Sequence, residues 1–232
     1  WLEGLFPSDF ESSRETAFDE RKKRVVETVF VRYRDLAIEA KENLDVDLDA
    51  AAESLACLVK EGKAKLDKWD AAVESFIDRV GFIASQFTEY EIGAFDDDSR
   101  ALLIEQCCYG AKSIRDLKRQ DVLPHVKTWF GVEVERLVES EAPERLKLTN
   151  GRIARIRYEA GARPVLSAKV QELYDLDTDP TLCQGRCKPM IEILGPNRRP
   201  VQLTDNLEAF WTTSYPNIKK DLKGRYPKHE WR

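Results

Sequence analysis

Apolar residues recur every three or four positions through most of the stretch between residues 47 and 141. Leu48, Ala51, Ala52, Leu55, Ala56 and Val59 fall on one helical face, with Asp47 placed to cap the helix and Gly62 to stop it. Trp69, Val73, Phe76, Ile77, Val80, Ile83 and Phe87 trace a second, longer stripe. Further helices are expected from Asp98 to Tyr109, after Ser113, and over 121–130 and 132–141, the last two divided near Gly131. Stripes of this kind are built to be buried, so residues 47–141 are expected to supply helical core rather than a cofactor pocket.

The flanks follow other rules. Residues 24–41, rich in Val, Phe, Tyr and Ile, read as paired strands entered by a turn at Asp19 to Lys23. Two strands alone are marginal in water, so they need the helices or further strands upstream as partners. Past Pro143, residues 152–159 alternate like a strand, and Leu166, Val170 and Leu173 predict a short helix over 166–174. Residues 187–194 and 199–204 read as strands joined by a turn at Gly195–Pro196–Asn197, followed by closing helices over 206–214 and 217–224. The expected fold class is α+β, with a β-strand pair in 1–42, a helical segment in 43–142 and a compact α+β domain in 143–232.

At 232 residues the chain can bury enough surface to need neither disulfide nor metal. No apolar run reaches the ~18 residues of a membrane-spanning helix, so no membrane partner is expected. The chain opens at Trp1 and its only methionine is Met190, so it is expected to be a processed product or an excised piece of a longer protein. The net charge of −5 is unevenly distributed. Residues 145–232 hold 17 Lys+Arg against 10 Asp+Glu, a net of +7, which leaves −12 on residues 1–144. A basic portion of this kind suits an anionic partner, nucleic acid foremost, although two solvated surfaces of different sign would give the same count.

Most catalytic chemistries find no support. The five cysteines include a C-x3-C pair at Cys183 and Cys187, but no second pair of close ligands, and His125 and His229 stand alone. Free thiols in a reducing cytoplasm are the expected state. There is no nucleophile elbow and no H-E-x-x-H, and Gly62–Lys63 lacks the upstream glycine of a phosphate-binding loop. Asp96–Asp97–Asp98 suits a helix N-terminus better than an acid/base pair. No catalytic or metal-binding residue is assigned.

The C-terminal tail, LKGRYPKHEWR, interleaves Lys223, Arg225, Lys228 and Arg232 with Tyr226, His229 and Trp231. Cations that meet phosphates beside rings that stack on bases are what single-stranded nucleic-acid binding requires. Arg198 and Arg199 on the 195–200 turn, and Arg155 and Arg157 on one face of a strand, join the same basic portion. A second reading uses the same residues: Tyr226, Pro227 and Trp231 dock the tail on its domain and leave the charges solvated.

The stretch NGRIARIRYEAGARPVLSAKVQELYDL, then GPNRRPVQLTDNLEAFWTTSYPNIKKDLKGRYPKHEW, resembles the C-terminal domain of bacterial HrpB-type ATP-dependent helicases of the DEAH-box/RHA group. The ordered pieces RPVQ-T, L--FW--SY and K-L-GRYPKH-W carry that resemblance over 143–232. WLEGLFP and FDERKKRVVETVFVRYRDL are similar to the closing part of the oligonucleotide-binding-type domain that precedes it in the family. The chain departs from the family's pattern at Cys183 and Cys187, and at Glu230, where a proline is common.

The resemblance implies a parent enzyme that hydrolyses NTP with Mg2+ and works on RNA through upstream core domains, its ATPase motifs lying outside this stretch. It also implies that this stretch takes no cofactor, packs on that core and guides RNA or single-stranded nucleic acid. A protein-interaction module is the alternative, with Trp69 and Phe76 of the acidic helical segment as its contact surface.

Overall fold

The structure, a computed structural model, describes residues 7–43, 45–176 and 178–232. Residues 1–6 of the WLEGLFP opening lie outside the described residues. The chain forms two units, one of residues up to Val73 with Phe95–Trp129, the other of Glu74–Ala94 with Phe130–Arg232.

In the first unit, β1 (Phe10–Asp19), β2 (Arg24–Tyr33) and β3 (Leu36–Asn43) form an antiparallel sheet in that order. The strands expected over 24–41 are β2 and β3, turned at Arg34 and Asp35. β1 escaped the sequence reading because its outward positions are polar and only Phe10, Ala17 and Phe18 are apolar. Asp19 turns the β1–β2 connection by accepting from Arg21 N (2.8 Å) and Lys22 N (3.0 Å). α1 (Leu48–Lys60) buries Ala51, Ala52, Leu55 and Ala56, and its N-cap Asp47 accepts from Asp49 N and Ala50 N. It packs on α3 (Asp97–Cys108), whose N-cap Asp96 accepts from Ser99 N at 2.8 Å, as the acidic run at 96–98 suggested. That hydrogen bond holds the Asp96 carboxyl below the usual carboxylate range. The half-buried Trp69 carries the Arg100 guanidinium over its ring at 4.9 Å.

In the second unit, α2 (Ala71–Gln86) from Glu74 onward and α6 (Val132–Glu141) join a five-stranded sheet. Between α3 and α6 run α4 (Ile114–Leu117) and α5 (Val122–Phe130). The sheet order is β4 (Arg145–Lys147), β5 (Ile153–Arg157), β6 (Val165–Lys169), β7 (Met190–Leu194), β8 (Pro200–Thr204). All neighbours are antiparallel except β6 and β7. Phe76 is 3% exposed and its ring lies 6.4 Å from that of Phe130. It belongs to the core, which corrects its assignment to a contact surface.

Two expectations past Pro143 change. The helix over 166–174 is instead strand β6 followed by a single 3-10 turn, Val170–Glu172. Leu166 pairs with Ile191 in parallel register, and pairing with a distant strand outweighs a three-residue match to helical spacing. The two closing helices form one helical run: a turn at Leu207–Ala209, a π-helical segment at Phe210–Ser214, and α7 (Tyr215–Arg225). Pro216 sits in the first turn of α7, where its missing N–H is tolerated, and does not separate the helices.

The cysteines divide by burial. Cys57 is exposed, Cys187 half-buried, and Cys107, Cys108 and Cys183 buried. Burial pushes the Cys107 and Cys183 thiols up to about 12 and Cys108 up to about 11. A thiol reagent at mildly alkaline pH is expected to label Cys57 rapidly, Cys187 more slowly and the other three only upon unfolding. Rapid labelling of all five in native protein would overturn their placement. Because the fold favours the neutral thiols, their contribution is complete below their ordinary value of 9.0 and is lost as pH rises from there toward about 12. The alkaline fall in unfolding free energy is accordingly expected to be shallower in Cys107→Ala.

Candidate nucleic-acid interface

The β7–β8 turn and the end of α7 bring three of the nominated residues together. Arg198 N donates to Gly195 O and Gly195 N to Arg199 O, each at 2.9 Å, closing a tight loop with Arg198 in the left-handed region (φ 61). Asn197 Oδ1 accepts from Arg199 N at 3.2 Å and would lie only 3.2 Å from a Cβ placed on Gly195. Gly195 therefore lets the asparagine fold under the turn. The loop ends at Pro200, with Arg199 beside it facing α7.

α7 ends at Tyr226, whose N donates to Leu222 O at 2.7 Å. The Tyr226 carbonyl then accepts from both His229 N (3.2 Å) and Trp231 Nε1 (2.9 Å), folding the tail back on the helix end. The Tyr226 and His229 rings meet edge to face at 6.1 Å. Between the turn and α7 runs a groove of about 310 Å3, lined on opposite sides by Arg199 and Val201 and by Arg225, Tyr226 and Asp221. His229 is exposed, whereas Tyr226 and Trp231 are half-buried.

The cations differ in what holds them. Arg198, Arg199, Lys223, Arg225 and Lys228 are exposed and form no ion pair among the described residues. Lys223 and Arg225 lie in the last turn of α7, where cations suit the helix dipole. Arg232 is engaged by Glu230 (2.7 Å) and Asp175 and lies over the Tyr174 ring at 5.0 Å. Its hydrogen bonds to Glu230 and Asp175 raise its guanidinium above the usual range. It anchors the tail and is not free to meet a ligand.

Arg155 and Arg157 lie elsewhere, on the exposed face of β5. Arg157 Nε donates to Glu159 Oε1 at 3.0 Å, while Arg155 has no carboxylate partner among the described residues. The nominated set thus occupies two places on one unit, a turn-and-tail groove and a sheet face. The +7 of residues 145–232 does not describe this unit, because residues 74–94 and 130–144 belong to it and bring it to 19 Lys+Arg against 19 Asp+Glu. Several of those acids are already paired: Glu139 and Glu144 with Arg79, and Glu89 with Arg186. Placement, rather than net charge, leaves the cations available.

Tyr174 was missed by the sequence reading. Its hydroxyl lies 2.6 Å from that of Tyr215 and donates to Glu230 O at 3.4 Å. With Phe210, Trp211 and Tyr215 it forms the aromatic cluster under the tail, so much of the FW--SY motif is scaffold. No group of three or more His, Cys, Asp and Glu side chains converges among the described residues, and no helix there is long and apolar enough to cross a membrane.

Residues 103–232 match the HrpB_C family, described as ATP-dependent helicase C-terminal. The chain is 33% identical over 167 residues to the ATP-dependent RNA helicase HrpB of Escherichia coli (strain K12), covering 70% of this chain and 21% of that protein. It therefore spans about a fifth of the length of that relative. It also resembles the crystal structure of the E. coli DExH-box NTPase HrpB, with a TM-score of 0.73, 26% identity, and coverage of 100% of this chain and 29% of the other. A second crystal structure, titled as the Escherichia coli DEAH/RHA helicase HrpB, matches 96% of this chain and 29% of its own at a TM-score of 0.67 and 26% identity.

Proposed function

Since the chain belongs to the HrpB_C family of ATP-dependent helicase C-terminal regions, we propose that it is the non-catalytic accessory region of an ATP-dependent RNA helicase and contacts single-stranded nucleic acid. The observation that carries this reading is the groove in which unpaired Arg199 and Arg225 flank the half-buried Tyr226. The two guanidiniums would meet backbone phosphates while the ring offers a face or edge to a base. Arg198, Lys223 and Lys228 would add screening-sensitive attraction, and His229 and Trp231 would hold Tyr226 in place. The ATP and Mg2+ chemistry would belong to upstream core domains, on which this region would pack.

Fluorescence anisotropy with a labelled single-stranded RNA over a salt series tests this directly. Log affinity should fall linearly with log salt, by about 0.7 per phosphate neutralised. Arg199→Glu with Arg225→Glu is expected to weaken binding about tenfold and flatten the slope by about 1–2. Tyr226→Ala is expected to cost about 1–3 kcal/mol of binding with the slope unchanged. Binding at low salt no tighter than that of an acidic protein of similar size would sink the reading.

A further inference from the structure

The five-stranded sheet has one covered and one open face. Ala154, Ile156, Leu166, Ala168, Ile191 and Ile193 are buried on the covered side. Arg145 and Lys147 of β4, Arg155 and Arg157 of β5, and Lys169 of β6 alternate onto the other. The carboxylate in this register, Glu192, already accepts from Ser167 Oγ at 2.6 Å. Arg145, Lys147, Arg155 and Lys169 have no carboxylate partner among the described residues.

Arg145 and Arg155 stand directly opposite each other across β4 and β5. Side chains in that relation lie ~5 Å apart at Cβ, and like charges there destabilise a sheet. Lys147 and Arg157 lie two residues further along their strands, ~6.7 Å away on the same face. The fold thus holds four cations in a small patch, with one carboxylate, Glu159, engaging one of them. The strongly exposed apolar side chains of these strands, Ile153 (62%) and Leu203 (55%), are three strands apart, ~14 Å, with the half-buried Val165 and Met190 between them. The face carries no aromatic ring on these strands.

We infer that the open face of this sheet binds the sugar-phosphate backbone of a nucleic-acid strand without reading its bases. Arg145 and Arg155 share a phosphate that relieves their mutual repulsion, and Lys147 and Arg157 meet its neighbours. The inference rests on the reading that the chain contacts nucleic acid, but it assigns a second surface with different chemistry. The groove depends on Tyr226 and therefore on bases, whereas the sheet face depends only on charge.

Anisotropy with an abasic oligonucleotide, beside the same length of ordinary RNA, tests it on the whole chain. Arg145→Glu with Arg155→Glu is expected to weaken abasic binding at least fivefold, while Tyr226→Ala leaves it unchanged. Arg155→Thr is expected to raise the thermal midpoint while weakening abasic binding, a pair of opposite effects that a merely structural arginine would not give. Abasic binding indifferent to the sheet substitutions, or absent where ordinary RNA binds, overturns the inference and leaves the groove reading standing. RNA binding that responds to the sheet substitutions but not to Arg199, Arg225 or Tyr226 overturns the groove and keeps the sheet. If neither probe binds, both fail.

Discussion

Replacing Phe210 with alanine is expected to lower the stability of the second unit by about 3–5 kcal/mol, read from guanidinium unfolding followed by tryptophan fluorescence. The side chain is 1% exposed, its ring centroid 4.7 Å from Trp211 and 5.9 Å from Tyr215. Truncation removes both the buried apolar area and two ring contacts. Phe210→Leu, which preserves most of the volume, should cost under about 1.5 kcal/mol if packing is the cause. Equal losses in both variants would mean that the aromatic geometry itself is required. The turn at 210–214 leads directly into α7, so if Arg225 and Tyr226 contact RNA as proposed, Phe210→Ala should weaken that binding without altering either.

Arg79→Met is expected to cost about 3–5 kcal/mol by the same measurement. The side chain is 5% exposed, and its Nε donates to Ala142 O at 2.6 Å and its terminal nitrogen to Val138 O at 3.3 Å. Ala142 O lies just past the C-terminal end of α6, where carbonyls run out of intrahelical donors, whereas Val138 O also accepts from Ala142 N at 3.0 Å. Glu139 at 3.3 Å and Glu144 at 3.8 Å complete the charge balance from the exposed side. Methionine fills the volume but takes the donor from Ala142 O and removes the cation that Glu139 and Glu144 share. Arg79→Lys keeps the charge but not the fork of donors, so an intermediate loss is expected. A loss below about 1 kcal/mol in Arg79→Met would place this arginine with exposed pairs such as Arg186–Glu89, which contribute little because solvent screens them.

Much of the fold was legible because its signals are local. The helices α1, α3, α6 and α7 were read within a few residues, Asp47 caps as expected, and the acidic run at 96–98 lies at a helix N-terminus as expected, with Asp96 as its cap. Where the reading failed, distant pairing had overridden a short pattern. β1 is a polar strand held by β2, and β6 is a strand because β7 lies beside it. Phe76 and Trp69 both fit an amphipathic stripe, yet one is core and the other a half-buried ring beneath Arg100. For the candidate interface, residue type was readable and availability was not. Arg232 and Arg225 read alike in the tail, but the first is held by two carboxylates and the second by none among the described residues.

By itself the sequence determined the α+β class, the approximate bounds of the helices within residues 47–141, and the ordered motifs that place the chain in its family. Each depends on spacing within a few residues and on side-chain chemistry that does not need the rest of the fold. Only the tertiary structure decided which cations face solvent unpaired, that Arg145 stands across from Arg155, and that the basic stretch shares its unit with acidic helices that cancel its charge. Register and pairing join residues far apart along the chain, and cross-strand geometry leaves almost no trace in the local pattern of either strand.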